Sequence, residues 1–261
     1  MADLMAIGRN GIIVLLVLIG MMGIAVGSFL NVCIFRIPKK EDIAVERSHC
    51  MYCGHVLQWY ELIPLFSFLI QGGKCRSCKK KLSWQYPIVE ALNAVLWIAV
   101  VLVHGLSWNS ILFCICTSVL IVITVIDERT MEIPFGCNVF IAILGLIRLI
   151  LDYTHWYEYV IGFFAVSLFF LLIVWVTKGR GMGGGDVKLM AAAGLLLGWK
   201  SIILAMMIGC VLGSVIHIGK MIFIKKKEHV LAFGPYLAAG IYLTILFGEP
   251  IIKWYLTLFQ V

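Results

Sequence analysis

The chain has 261 residues, of which 62% are apolar and only 13% charged, with a formal net charge of +7. Soluble chains average about 45–50% apolar and about 25% charged residues, so one soluble core cannot hide this much apolar surface. A mean hydropathy of +1.02 and charge-free stretches able to cross ~30 Å of hydrocarbon exclude a soluble enzyme, a nucleic-acid-binding domain and a disordered protein.

The composition therefore reads as an all-α polytopic membrane protein, with the lipid bilayer as a partner and no nucleic acid. In chain order, Gly11–Phe35 is uncharged between Arg9 and Arg36 and lacks a small-residue cleavage site. It reads as a first membrane helix, not a removed signal. The stretch 36–87 is the one long polar segment. Within it, Cys50-x2-Cys53 is followed by Cys75-x2-Cys78. Two CxxC pairs supply the four ligands that a soft dication such as zinc takes in a tetrahedron. A redox pair or unligated thiols is the competing reading. A closed set of four cysteines leaves no position for water, so the expected role of zinc is structural. Cys33, Cys114, Cys116, Cys137 and Cys210 lie singly in apolar segments and read as packing residues. The six histidines, His49, His55, His104, His155, His217 and His229, show no paired metal-ligand spacing.

Ala91–Ile126 is uncharged over 36 residues, roughly 54 Å if helical, too long for one crossing. The polar run His104–Ser110 is the natural place to break it into two helices. Further spans are expected over about 134–151, 159–177, 201–224 and 231–247. The segment 187–198 is short for a crossing, and the tail after Pro250 either crosses or lies along the interface. The fold expected is thus about eight transmembrane helices with a cytoplasmic zinc-knuckle loop domain between helices 1 and 2. Its parts are a first transmembrane helix (1–35), the four-cysteine domain (36–87) and a transmembrane domain (88–261).

Lysine and arginine positions test the orientation. If 36–87 is cytoplasmic, alternation puts the connections at 127–133, 178–188 and 225–229, the last with Lys225, Lys226 and Lys227, on the same side. Counting Lys220, near the end of the span that leads into the last of these connections, with that side, only Arg9, Arg148, Lys200 and Lys253 of the 21 Lys and Arg residues fall outside this pattern, a strong positive-inside bias.

Two acids stand where helices meet that boundary: Asp127, ending an apolar run, and Asp186, in Gly181-Met182-Gly183-Gly184-Gly185-Asp186. Acids at membrane depth are costly and are retained for function. Two carboxylates at one site share a proton, supplying the acid and base for peptide hydrolysis by activated water. The bland alternatives are a solvated helix end for Asp127 and an N-cap for Asp186 on a helix beginning at Val187. Helix polarity would place the shared proton on Asp127. Gly183 and Gly185 allow close approach of a substrate backbone. A phosphate loop is disfavoured because no strand precedes the glycines and no Lys-Ser/Thr pair follows.

At these residues the sequence resembles the type IV prepilin peptidases, bifunctional leader peptidases and N-methyltransferases, over nearly its whole length. The resemblance rests on Gly27–Pro38, the paired CxxC knuckles, Trp59–Pro64, Tyr86–Glu90, Ile133-Pro134, the GxGD motif Gly183–Asp186, and Phe233-Gly234-Pro235-Tyr236. It implies a helical membrane aspartic protease of the bacterial cytoplasmic membrane, with Asp127 and Asp186 as the catalytic pair facing the cytoplasm. Its substrates would be prepilins or pseudopilins, cut after a Gly. The new N-terminal residue would be methylated from S-adenosylmethionine, with the loop 36–87 as the methyltransferase domain. Glu61, Gly73 and Lys74, in the matched loop motifs, are the methyltransferase candidates. From the residues alone, a transporter or channel using intramembrane carboxylates, or a zinc-stabilised scaffold, stands as the alternative. Carboxylates at one bilayer face favour the protease, since a transport route would place them nearer the midplane.

Overall fold

A computed structural model describes residues 8–43, 47–224 and 232–258. Lys225, Lys226, Lys227 and His229 lie outside the described residues. The chain divides into two compact units, Met1–Val122 and Ile123–Val261.

The first unit begins with α1 (Gly8–Arg36) and continues through a 3-10 turn at Trp59–Glu61, the short α2 (Phe66–Ile70), α3 (Gln85–His104) and most of α4 (Trp108–Thr130), which crosses the boundary between units. Glycines on one face of α1 let its backbone meet α3. A Cβ on Gly23 would fall 2.7 Å from the Ala94 Cα, and one on Gly27 2.6 Å from the Glu90 Cα. In lipid, where no water rewards burial, such small-residue contact and buried hydrogen bonds drive helix association. Asn93 donates to the Gly23 carbonyl at 2.7 Å, Ser118 to Asn93 at 2.8 Å, and the Trp97 indole to Ser118 at 3.0 Å. The break expected within 104–110 is present. Gly105, at φ +68°, ends α3, and Ser110 at the start of α4 donates to its carbonyl at 2.7 Å.

The second unit holds α5 (Phe135–Leu151), the nearly continuous pair α6 (Trp156–Ala165) and α7 (Ser167–Val176), α8 (Gly184–Leu197), α9 (Trp199–Ile224) and α10 (Gly234–Leu258), a helix that continues past Pro250. Its centre is α8. At 14 residues it is about 21 Å long, less than the hydrocarbon thickness. It is packed by α5, α6, α7, α9 and α10, and every residue from Leu189 to Leu197 is buried. A helix apolar all round is one enclosed all round. Its small residues set that enclosure: α6 and α8 meet at Gly162 and Gly194, where a Cβ on either would collide with the other's carbonyl group.

Among the described residues, six helical segments are long and apolar enough to cross a membrane. The 17-residue α5 is a shorter apolar helix beside them, and the eighth of the expected helices, α8, is buried among its neighbours and too short to be such a span. Two of the cations outside the charge pattern are committed locally, at the C-terminal end of α8. Arg148 donates to the Leu196 carbonyl at 2.6 Å, and Lys200, just beyond, pairs with Glu158 at 3.7 Å. Cations belong at that end of a helix, where carbonyls are unpaired and the dipole is negative.

Candidate functional site

The four cysteines come together in the first unit. Each CxxC pair forms a turn of the same design. In the first, the Cys50 amide bonds the His55 carbonyl at 2.8 Å and Gly54 closes back on Cys50 at 2.9 Å. In the second, the Cys75 amide bonds the Lys80 carbonyl and Lys79 closes back on Cys75, both at 2.9 Å. Gly54 and Lys79 both take positive φ, +70° and +59°, as these tight reversals require. The four sulfurs lie within 4.8 Å of one another, with Cys50–Cys78 at 3.9 Å and Cys53–Cys75 at 4.0 Å. A tetrahedron with zinc–sulfur bonds of ~2.3 Å requires sulfurs about 3.8 Å apart, so the donor set fits a tetrahedral thiophilic ion. Backbone N–H groups of Cys78 and then Ser77, with the neighbouring thiols, pull the Cys75 thiol down to about 6. The Lys80 N–H favours the Cys78 thiolate, but burial and the crowding of the other three thiols push that group up to about 11. Four thiols this close resist losing all their protons unless a cation joins them.

Glu61 is buried beside these knuckles. One carboxylate oxygen accepts from the Gln58 amide at 2.9 Å and meets His55 Nε2 at 3.2 Å, and the Gln58 bond, then His55, hold its pKa below the usual carboxylate range. Gly73, at φ +65°, lies against the Phe68 ring, and Lys74 is exposed. The three methyltransferase candidates thus share the loop but form no single cluster of bonds.

The two aspartates belong to the second unit. Asp127 is in the last turn of α4, 5% exposed. Its Oδ2 accepts from the Gly234 amide, at the start of α10, at 3.0 Å. That amide is an unpaired donor of a helix N-terminus, and a Cβ on residue 234 would sit 2.6 Å from Asp127 Oδ2, so any larger residue there would have to displace the carboxylate. Asp186 is 7% exposed. It lies in the first turn of α8 and is not its N-cap: that position is Gly183 and the helix begins at Gly184. The Asp186 carboxylate reaches back to the Gly183 backbone, as acidic residues at the third helical position do. The spacing of Gly183, Gly185 and Asp186 acquires a reason from this. Gly183 is the extended cap, and Gly185 faces Ile133, where a Cβ would come to 3.0 Å from the Ile133 Cβ.

Ile133 is the piece between the two acids. It stands against Gly185 on one side and, 3.2 Å from where a Gly234 Cβ would be, against the Asp127 bond on the other. Asp127 and Asp186 are near enough for the charge of one to act on the other. Capping would account for Asp186 at the helix start. It does not account for burial of two acids beside each other, where each charge opposes the other. The Gly234 bond to Asp127 has no signal in residue chemistry alone. It also removes the basis for assigning the shared proton from helix polarity.

A helical membrane protein carrying two adjacent buried carboxylates in one unit and a four-thiol cluster in the other is the class these observations define. Similarity to known proteins narrows that class. Residues 21–104 match the bacterial peptidase A24 N-terminal domain, and residues 114–218 match the type IV leader peptidase family. The chain is 36% identical to the prepilin leader peptidase/N-methyltransferase of Bacillus subtilis (strain 168), covering 90% of this chain and 95% of that protein. It is 32% identical to the protein of that name from Aeromonas hydrophila, over 93% and 94% of the two chains. A third, from Pseudomonas aeruginosa, is 31% identical over 90% and 91%. The chain belongs to the prepilin leader peptidase/N-methyltransferase family. No solved structure matches it.

Proposed function

We propose that this chain removes the basic leader of type IV prepilins or pseudopilins, cutting after a glycine at the cytoplasmic face of the bacterial cytoplasmic membrane, and methylates the exposed amine. The observation that carries the reading is the pairing of Asp127 with Asp186, two acids 59 positions apart in sequence that are both buried and adjacent. An ionised carboxylate takes a proton from water, which attacks the carbonyl carbon of the scissile peptide. The protonated partner gives its proton to the carbonyl oxygen. When the tetrahedral intermediate collapses, the C–N bond breaks, the carboxyl group that took the proton from water gives it to the leaving amine, and a hydroxyl proton of the intermediate returns to the other carboxylate, so the pair again holds one proton. Gly234 fixes Asp127 in this geometry, and Gly183 fixes Asp186.

The four cysteines hold zinc as a structural ion, organising the loop 36–87 that carries the methyltransferase candidates Glu61, Gly73 and Lys74. S-adenosylmethionine supplies the methyl group to the new N-terminal amine, which must be unprotonated to attack it. The test is cleavage of a prepilin by purified protein. Asp127→Asn and Asp186→Asn should each lower the rate by at least ~10³-fold, the upper part of the range for a lost general acid or base, with unchanged thermal unfolding. Glu128 and Lys188, the charged neighbours, should not substitute. Substantial processing by either single variant would refute the pair.

A further inference from the structure

The segment 62–70 is apolar and exposed although it belongs to the polar loop. In α2, Phe68 turns inward, 7% exposed, against Gly73 and Trp84. On the opposite side Phe66, Leu69 and Ile70 are 64%, 69% and 84% exposed. Three large apolar side chains on one short helix are not the surface of a water-facing domain. Their height in the molecule is fixed by a bond to a membrane helix. The Leu65 amide donates to Glu90 Oε2 at 2.8 Å, and Leu65 takes φ +58°, a conformation uncommon for a side chain of its kind. Glu90 is the sixth residue of α3, about 8 Å along that helix from Gln85, and its backbone is the one that Gly27 of α1 packs against. The start of α2 is therefore held level with the first turns of a bilayer-spanning pair.

The charges around it have one sign. Between Glu61 and Glu90, both buried, the charged residues are Lys74, Arg76, Lys79, Lys80 and Lys81, all exposed. Ile63, Phe66 and Ile70 meet Lys74, Arg76 and Lys79 along one cleft of about 570 Å³. Apolar side chains beside cations, at the end of a membrane span, match the boundary between acyl chains and anionic headgroups. Trp84, 68% exposed and immediately before α3, is the residue type that anchors at that boundary.

We infer that α2 is an interfacial element docked on the anionic phospholipid surface, with Phe66, Leu69 and Ile70 inserted among the acyl chains and the cations of the second cysteine knuckle facing the headgroups from the water side. The four-cysteine loop is then held against the membrane instead of standing free of it. The test uses the full chain in nanodiscs of phosphatidylethanolamine and phosphatidylglycerol, with a fluorescent amino acid at Ile70 and, in a separate variant, at Ser77. Lipids brominated on the acyl chain should quench the Ile70 label several-fold more than the Ser77 label, and aqueous iodide should do the reverse. Replacing phosphatidylglycerol by phosphatidylcholine should raise iodide access at Ile70. A label at Leu69 gives the same readout should the Ile70 variant fail to assemble. Equal iodide quenching at both positions would overturn the inference. So would shielding of Ile70 that arises only on adding prepilin or S-adenosylmethionine, which would make the surface a substrate site. Insensitivity to the lipid charge would overturn the electrostatic half.

Discussion

The four-cysteine cluster and the carboxylate pair are built by opposite means. The cysteines are gathered by two local turns, with partners 22 and 28 positions apart and each turn closed by its own backbone bonds. The carboxylates are gathered by packing: Asp127 and Gly234 are 107 positions apart, and Asp186 is brought in by a helix enclosed by five others. A locally closed site needs an ion to oppose its like charges and little else. A site closed by packing depends on every close approach between helices, including those far from the acids. The two should therefore fail under different insults.

The largest expected effect is loss of the metal. Structural zinc contributes about 10–16 kcal/mol in small finger peptides, so chelation or Cys50→Ser should release one equivalent of zinc and leave the loop open to protease. The second unit should keep its unfolding temperature. Metal analysis and limited proteolysis on one sample check this. If chelation also unfolds the second unit, the two sites are not independent.

Next in size is Gly234→Ala, which leaves both acids in place but puts a methyl group against Asp127. A misplacement of about 1 Å costs about 10²-fold in rate. Steady-state cleavage should fall by about that factor, with zinc content unchanged. An undiminished rate would mean that the Gly234 bond does not orient Asp127.

Gly194→Ala tests packing at a distance from the acids. Forcing a methyl group into the α6–α8 contact should cost about 1–3 kcal/mol, read as a lower unfolding temperature of the second unit. No loss of stability would mean that α6 and α8 do not meet there. Smallest is Arg148→Gln. The guanidinium lies 5.3 Å from the Tyr159 ring and bonds the Leu196 carbonyl, and losing such a charged bond should cost about 1.5–3 kcal/mol where buried and less here, where Arg148 is partly exposed. Arg148→Lys should recover part of it. Equal stability of the Gln and Lys variants would remove the cap.

The same contrast explains what could be read from the chain. The thiol site is legible because its ligands sit at fixed short spacings, and spacing is what a sequence displays. The spans at 11–35, 91–126 and beyond are legible because lipid imposes a length on apolar runs. The break at His104–Ser110 shows in its polar run. The exceptions to the positive-inside pattern carry no local signal. Arg148 and Lys200 become intelligible only once α8 is known to end beside them. The first turn of α8 was displaced from the expected Val187 because glycine at 184 and 185 reads as a loop, whereas enclosure by neighbouring helices outweighs the ~1 kcal/mol that each glycine costs in a helix. Gly234 and Ile133 stood within motifs that the resemblance supplied, but their work on the acids is a matter of three-dimensional approach.

The central claim is that cleavage belongs to the carboxylate pair and methylation to the four-cysteine loop. Mass spectrometry of one prepilin incubated with S-adenosylmethionine and either Asp186→Asn or Cys50→Ser protein tests it most directly. An uncut prepilin is expected from Asp186→Asn protein, which should still methylate a pilin supplied already cleaved. A cut but largely unmethylated product is expected from Cys50→Ser. A cut product from Asp186→Asn, or full methylation by zinc-free Cys50→Ser protein, would contradict it.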